Sequence, residues 1–414
     1  MSLDLVFRDV RLVGRDDPCD IGVAGGRIVA LAPRLDVGVP VEDLGGRLAV
    51  PGFVETHIHL DKSCILDRCT SQHGTLQEAI AQVAAAKRVF TQQDVHVRAA
   101  RTLEKAIGQG TTRMRTHVEV DPRIALRSFE AIRRLKRDYA FAIDLDICVF
   151  PQEGLLNDPG AEELLVAACE AGADAVGGCP YTDTDPHGQI ARIFAIAQKF
   201  DLDVDFHLDF DLDPSWTHLD EVCRATDRAG WGGRVAIGHV TKLSAMPEQA
   251  RAAATRRLAD AGVALTVLPA TDLFLMGRGH DHDVPRGVTP AHRLAAAGVT
   301  CSIATNNVLN PFTPFGDCSL VRIANLYANV AQLGRPADLL GCLDMVTASP
   351  AKLLNLKDYG IAIGNPADLV VLDACDPASA IAEIAVPLAG WKRGRKTFSR
   401  SPVVIHREAV AASG

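Results

Sequence analysis

Apolar runs near 49–56, 111–118, 141–150, 173–178, 203–208, 234–239, 263–268 and 300–305 alternate with amphipathic stretches of helical period, among them Leu76–Val89, Asp94–Ile107, Ala161–Ala171, Gln189–Phe200 and Leu219–Ala229. No other feature of the chain restricts its fold as much. A short apolar run suits a strand buried on both faces, and strands that alternate with helices build parallel sheets. Eight such units predict an α/β chain folded as a (β/α)8 TIM-type barrel. A doubly wound open sheet is the rival architecture, but no G-x-G-x-x-G opens any of the helices.

The two ends have a different texture. Residues 1–50 read as short β segments (Leu5–Val10, Asp20–Val23, Arg27–Leu31, Arg47–Val50) separated by Gly and Pro turns, and the last 50 residues resume that pattern. We therefore expect a small β-sandwich domain built from both termini, residues 1–50 and 355–414, around a barrel of residues 51–354.

Composition narrows the function. Over 414 residues, 48% are apolar and 23% charged, as in ordinary globular proteins. The 51 acids outweigh the 43 bases for a net charge of −8, without a dense basic block, and aromatics are 5%. Nucleic acid is not an expected partner on these grounds. No segment carries 18 consecutive apolar residues, so no membrane span is expected. The start, Met1 to Arg8, lacks a basic region followed by an apolar one, so a cytoplasmic location is expected. The eleven cysteines are scattered, odd in number and without a C-x-x-C pair, which reads as reduced thiols and argues against a zinc–thiolate site.

In a barrel of this kind, chemistry is carried where strands end. The first strand ends in Thr56-His57-Ile58-His59-Leu60-Asp61-Lys62. Alternate residues of a strand share a side, so His57 and His59 can converge on one metal ion. The fifth strand region, Asp201 to Asp213, alternates acid or His at odd positions with apolar residues at even ones. Charges deep in a barrel are costly unless paired, so Asp201, Asp203, Asp211 and Asp213 are expected at wet ends. His207 and Asp209 then remain as candidates for the mouth. The sixth strand ends in Gly238-His239, and the eighth in Thr305-Asn306-Asn307. Taken singly each His reads as structural; together they point to a divalent-metal hydrolase site.

The segment Pro51-Gly52-Phe53-Val54-Glu55-Thr56-His57-Ile58-His59-Leu60-Asp61-Lys62 resembles the first-strand motif of the amidohydrolase superfamily. Phe150-Pro151-Gln152-Glu153-Gly154, Val204–Asp209, Gly238-His239-Val240-Thr241 and Asn306–Gly316 resemble its cytosine deaminase branch, and Pro366–Val371 resembles the return strand of its small domain. The resemblance implies one divalent transition metal per chain (Zn, Fe or Mn), bound by His57, His59, His207 and the strand-eight residue Asn306. Such a metal lowers the pKa of bound water, and the resulting hydroxide attacks an sp² carbon of a small nitrogen heterocycle. The resemblance further gives His239 the role of orienting hydroxide or polarising substrate. Gln152 would hydrogen-bond a ring amide, Phe312 would pack on the ring, and Asn307 would line the substrate. Self-association follows only by analogy with other barrels of this family.

Two departures bear on the reaction. Where the branch reads His-x-Asp-Glu, this chain reads His207-Leu208-Asp209-Phe210, and Phe carries no proton. Where strand eight supplies two aspartates, this chain has Asn306 and Asn307, neutral and negligible as bases. Ordinary cytosine deamination is therefore disfavoured, and the expected reaction is deamination, amine release or cyclic amide hydrolysis with another proton carrier. Asp209 is the first choice, with Asp211 or His239 behind it; the alternative for Asp209 is a cap or structural partner. The alternative for the whole protein is a catalytically silent relative that binds a small ligand.

Several residues keep two readings. Glu119 could wall the pocket or sit in a structural pair. Lys62 and Asp61 could anchor the first loop or meet an acidic substrate group. His280 and His282 could touch substrate or sit solvated in their loop. His73, His96, His187, His218, His292 and His406 receive no role. Gly287-Val288-Thr289-Pro290 reads as a helix cap with Pro at the first helical position.

Overall fold

The computed structural model describes residues 2–36, 38–401, 403 and 405. Both ends of the chain contribute to one small mixed sheet. Its strands are β1 (Leu5–Leu12), β2 (Cys19–Ala24), β3 (Arg27–Ala32), β4 (Val41–Asp43) and β5 (Leu48–Pro51) from the start of the chain. From the end come β14 (Leu369–Leu372), β15 (Pro387–Lys392) and β16 (Arg395–Ser399), and the sheet runs β16-β15-β14-β5-β1-β2-β3 with β4 beside β1. Within β1, the residues from Val6 to Arg8 pair with β4, and Arg11 and Leu12 pair with β5, so one strand serves both halves. The halves share one core, in which the Phe7 and Trp391 rings meet edge-on at 4.9 Å. His406 lies outside the described residues.

Between these ends lie the eight barrel strands, β6 (Phe53–Ile58), β7 (Thr111–Glu119), β8 (Asp144–Phe150), β9 (Ala175–Val176), β10 (Asp203–Leu208), β11 (Val235–His239), β12 (Val263–Val267) and β13 (Cys301–Ile303). Each pairs in parallel with the next, and an Ile58–Asn306 bridge joins the first to the chain leaving the last. There His59 N–H donates to the Asn306 carbonyl at 2.8 Å and Asn306 N–H to the His57 carbonyl at 2.9 Å. The barrel is thereby closed by the residues that also form its mouth. Some helices start at side-chain caps: Thr75, Thr91 and Asp185 accept the N–H of Glu78, Asp94 and Gly188.

The barrel interior is polar, and part of it is paired. Thr56, Thr266 and Ser302 share hydroxyl contacts, two of them at 2.9 Å. Arg115 donates to buried Asp205 at 3.2 Å, the pairing that a charge at this depth requires.

Three sequence expectations are corrected. The run 49–56 is two strands: Leu48–Pro51 belongs to the small sheet and only Phe53–Ile58 to the barrel. Gly52 divides them, at a place where a Cβ would fall 2.2 Å from the Thr112 side chain. The run 173–178 shrinks to Ala175–Val176, because Gly177 crosses so close to β10 that a Cβ would lie 2.0 Å from the Asp205 carbonyl. Thr289 does not cap the helix Ala291–Ala296; it is buried, and its hydroxyl donates to the Val240 carbonyl at 2.8 Å.

Candidate metal centre and active-site cavity

β6, the residue directly after it and β10 deliver three imidazoles, His57, His59 and His207, to one point. His207 Nε2 lies 3.0 Å from His57 Nε2 and 3.1 Å from His59 Nε2, and all three rings are buried. Their surroundings fix these orientations. His59 donates Nδ1–H to the His117 carbonyl at 3.2 Å, which leaves a lone pair on its Nε2. The His57 ring stacks on His117 with centroids 3.7 Å apart, and Phe150 stacks on His207 at 4.5 Å. Gly238 leaves room for His57, since a Cβ there would stand 3.2 Å from the ring.

Burial, reinforced by neighbouring imidazoles and, for His59 and His207, by the Lys62 ammonium, holds all three well below the ordinary histidine range. Neutral imidazole is the form that binds metal. A tetrahedral ion at usual Zn–N distances would hold its nitrogens about 3.3 Å apart, close to the spacing found. Asn306 Oδ1 is buried at the same cavity and has no hydrogen-bond partner among the described residues, and neither do His57 Nδ1 and His207 Nδ1. Three convergent lone pairs and an orphaned amide oxygen fit a divalent transition ion.

Two further clusters of possible ligands already hold a cationic side chain against their carboxylates. Glu119, Asp121 and Glu153 converge within 4.8 Å, but the Lys87 ammonium sits among them at 2.6, 2.5 and 2.7 Å. Asp205 near His57 and His117 is paired with Arg115.

Around the imidazoles the cavity is closed by Lys62, Gln152, Tyr181, Phe210, His239, Thr271, Asn306, Asn307 and Phe312, leaving about 10 Å³, room for roughly one water. The structure thus brings His59, His207, His239, Gln152, Asn306, Asn307 and Phe312 together at one cavity. Lys62 joins them: it donates to Glu119 Oε1 at 2.6 Å and Gln152 Oε1 at 3.2 Å, and stands 4.4 Å above the Phe312 ring. Glu119 is therefore a buried ion-pair partner. Asp61 accepts the Glu119 N–H at 2.9 Å and anchors the first loop.

Asp209 is not brought into the cavity, which corrects the expected proton carrier. The strand ends at Leu208; Asp209 has φ of 47°, and its carboxylate turns away to accept from the Thr217 hydroxyl and the His218 N–H. Asp211 pairs with Lys242 at 3.0 Å. His280 and His282 are exposed, and His280 lines an outer groove of about 330 Å³. Phe210 lines both that groove and the inner cavity, and its ring stacks on His239 at 3.7 Å.

Sequence reasoning missed Asp272. From the first turn of the short helix Pro269–Leu275 it accepts His239 Nδ1–H at 2.7 Å and the Leu268 N–H at 3.2 Å. Burial raises its carboxyl despite the imidazole. Glu55, also missed, ties β6 to the end of β13 by accepting the N–H groups of His57 and Thr305. Its place in the first-strand motif was a usable signal, whereas Asp272 carries none.

Comparison with known proteins gives a match to the amidohydrolase family over residues 40–143 and 144–398. A pterin deaminase of Rhizobium rhizogenes is 31% identical over 86% of this chain and 82% of its own. An N-isopropylammelide isopropyl amidohydrolase of a Pseudomonas species is 28% identical over 99% of both chains. The crystal structure of 5-methylcytosine deaminase from Klebsiella pneumoniae, liganded with 5-fluorocytosine, superposes with a TM-score of 0.93 at 29% identity, covering 97% of this chain and 99% of that one.

Proposed function

The chain belongs to the amidohydrolase family, and from that premise we propose that it is a metal-dependent hydrolase cleaving a carbon–nitrogen bond of a small nitrogen heterocycle, by deamination, amine release or cyclic amide opening. The reading is carried by the meeting of three neutral imidazole nitrogens, 3.0 and 3.1 Å apart, beside the orphaned Asn306 Oδ1. We assign one ion per chain, Zn, Fe or Mn, to His57, His59, His207 and Asn306. When bound, such an ion makes hydroxide available from water near neutral pH.

The protein's own groups do the rest. Asp272 holds the His239 Nδ1–H at 2.7 Å, so Nε2 is left to accept and return a proton inside the cavity. Phe210 stacked on the same ring fixes its plane. His239 thus takes the proton-carrying part for which Asn306, Asn307 and Phe210 are chemically unsuited. Gln152, Asn307 and Phe312 bind the ring, and ordinary cytosine deamination is not the reaction we assign. The free thiols of all eleven cysteines fit a reducing cytoplasm.

Phe210 lines both the closed cavity and the 330 Å³ groove, so its side chain stands at the entry we assign to a ring. The test is a panel of pyrimidines, triazines, hydantoins and lactams offered to metal-loaded protein, with released ammonia or amine measured. Release from at least one class, slowed by about 10²–10⁴ in His239→Ala, is expected. Metal-loaded protein that binds rings but releases nothing would favour the silent binder.

A further inference from the structure

Gln152 cannot make the amide-to-amide pairing expected of it. An ammonium group only donates, so the Lys62 contact at 3.2 Å fixes the amide oxygen of Gln152 toward Lys62. The amide nitrogen is then the end left to meet a ligand. It donates to Cys179 Sγ at 3.5 Å, a weak acceptor whose thiol burial keeps uncharged, and it also lies within hydrogen-bonding reach of the Tyr181 hydroxyl, likewise held uncharged by burial.

Lys62 is in a matching position. Of its three N–H bonds, one goes to Glu119 at 2.6 Å and one to Gln152, and the third is left on the cavity side, where the ammonium stands 4.4 Å from the Phe312 ring centroid. Glu119 offers nothing to a ligand in return, because its second oxygen is taken by Lys87 at 2.6 Å. Burial alone would raise the Glu119 carboxyl, but the two ammonium groups outweigh it and hold it below its ordinary range.

We propose that Lys62 and Gln152 form a donor–donor edge that selects heterocycles presenting two adjacent acceptors, an oxo oxygen beside a ring nitrogen that bears no hydrogen. This inference rests on the reading that a ring binds in this cavity. A protonated lactam edge, C=O beside N–H, would set its N–H against the Gln152 amide hydrogens and bury an unmatched donor. An exocyclic amine in place of the oxo group would do the same to Lys62. The substrate class is thereby narrowed to oxo-heterocycles in the tautomer or ionisation state that frees the neighbouring ring nitrogen.

The test compares two rings of nearly equal size by calorimetry on metal-loaded protein. Pyrimidin-2-one can offer its oxygen and an unprotonated ring nitrogen side by side; 2-aminopyrimidine offers an amine beside the nitrogen. Pyrimidin-2-one should bind at least about tenfold tighter, the size of a matched against an unmatched charged hydrogen bond. The ratio should collapse toward one in Lys62→Met, and in Lys62→Met combined with Glu119→Gln, which keeps the buried charges balanced should the single variant fold poorly. Equal affinities in the wild type, a preference for the amine, no binding of either ring, or an unchanged ratio in the folded variants would overturn the inference. The two readings fail separately: tenfold selection without hydrolysis of any ring sinks the hydrolase proposal alone, whereas hydrolysis without selection sinks this one alone.

Discussion

Replacing Lys87 by methionine removes the ammonium from among three carboxylates and keeps the length of its apolar stem. That ammonium lies 2.6 Å from Glu119, 2.5 Å from Asp121 and 2.7 Å from Glu153, at a position where Lys87 is 2% exposed. Glu119 keeps Lys62, while Asp121 and Glu153 keep only Arg123, at 3.5 and 3.9 Å, so the mutual repulsion of the three carboxylates carries most of the cost. Removing one partner from a buried pair costs about 3–5 kcal/mol, and that is the expected loss at pH 7.5, read from urea denaturation followed by tryptophan fluorescence. The deficit should depend on pH with a definite sign. Glu153 is already raised to about 7 by burial and by the charge of Glu119, against the pull of Lys87, and losing Lys87 raises it further. A raised acid costs stability progressively as pH climbs from its unfolded pKa through its folded one. The deficit of Lys87→Met should therefore shrink on going from pH 7.5 to pH 5, and a second change, Glu153→Gln, should recover part of it at pH 7.5. A loss under about 1 kcal/mol at pH 7.5, or an equal loss at both pH values, would refute this account of the cluster.

Other perturbations address the cavity. Asn306→Asp should tighten the metal, by about tenfold or more in a competitive chelator titration, because a charged oxygen replaces a neutral one; unchanged affinity would remove Asn306 from the ligand set. His239→Ala should lower kcat by about 10²–10⁴ with metal content intact, and Asp272→Asn should lower it less while displacing the pH profile, as expected for an orienting partner. Phe210→Ala should open the inner cavity to the outer groove, raising the on-rate of a ring in stopped-flow binding while disordering His239; an unchanged on-rate would mean that substrate enters elsewhere.

The fold was legible because its signals are local. Period-two and period-3.6 patterns fix strands and helices, and the parity that sets His57 beside His59 holds as long as the strand does. On the fifth strand the same parity turns Asp205 and His207 inward together. It failed at Asp209, one residue past the strand end, where φ of 47° turns the side chain toward Thr217 and His218. Parity cannot see where a strand stops. Asp272 and Lys87 were illegible for another reason. Each acts on a partner far along the chain, His239 in one case and Glu119, Asp121 and Glu153 in the other, and only the closed barrel brings them within 2.7 Å. Lys62 was visible in the first-strand motif, but its two readings could be separated only by the Glu119 and Gln152 contacts.

The central claim is that His57, His59 and His207 hold one divalent ion. Elemental analysis joined to X-ray absorption on purified protein tests it most directly, with His207→Ala as the control. About one Zn, Fe or Mn per chain, with three imidazole nitrogens about 2.0–2.1 Å away if the ion is zinc, is predicted, and His207→Ala should lose it. Protein that stays metal-free after growth and dialysis with these ions, or an ion whose shell lacks imidazole, would contradict the account.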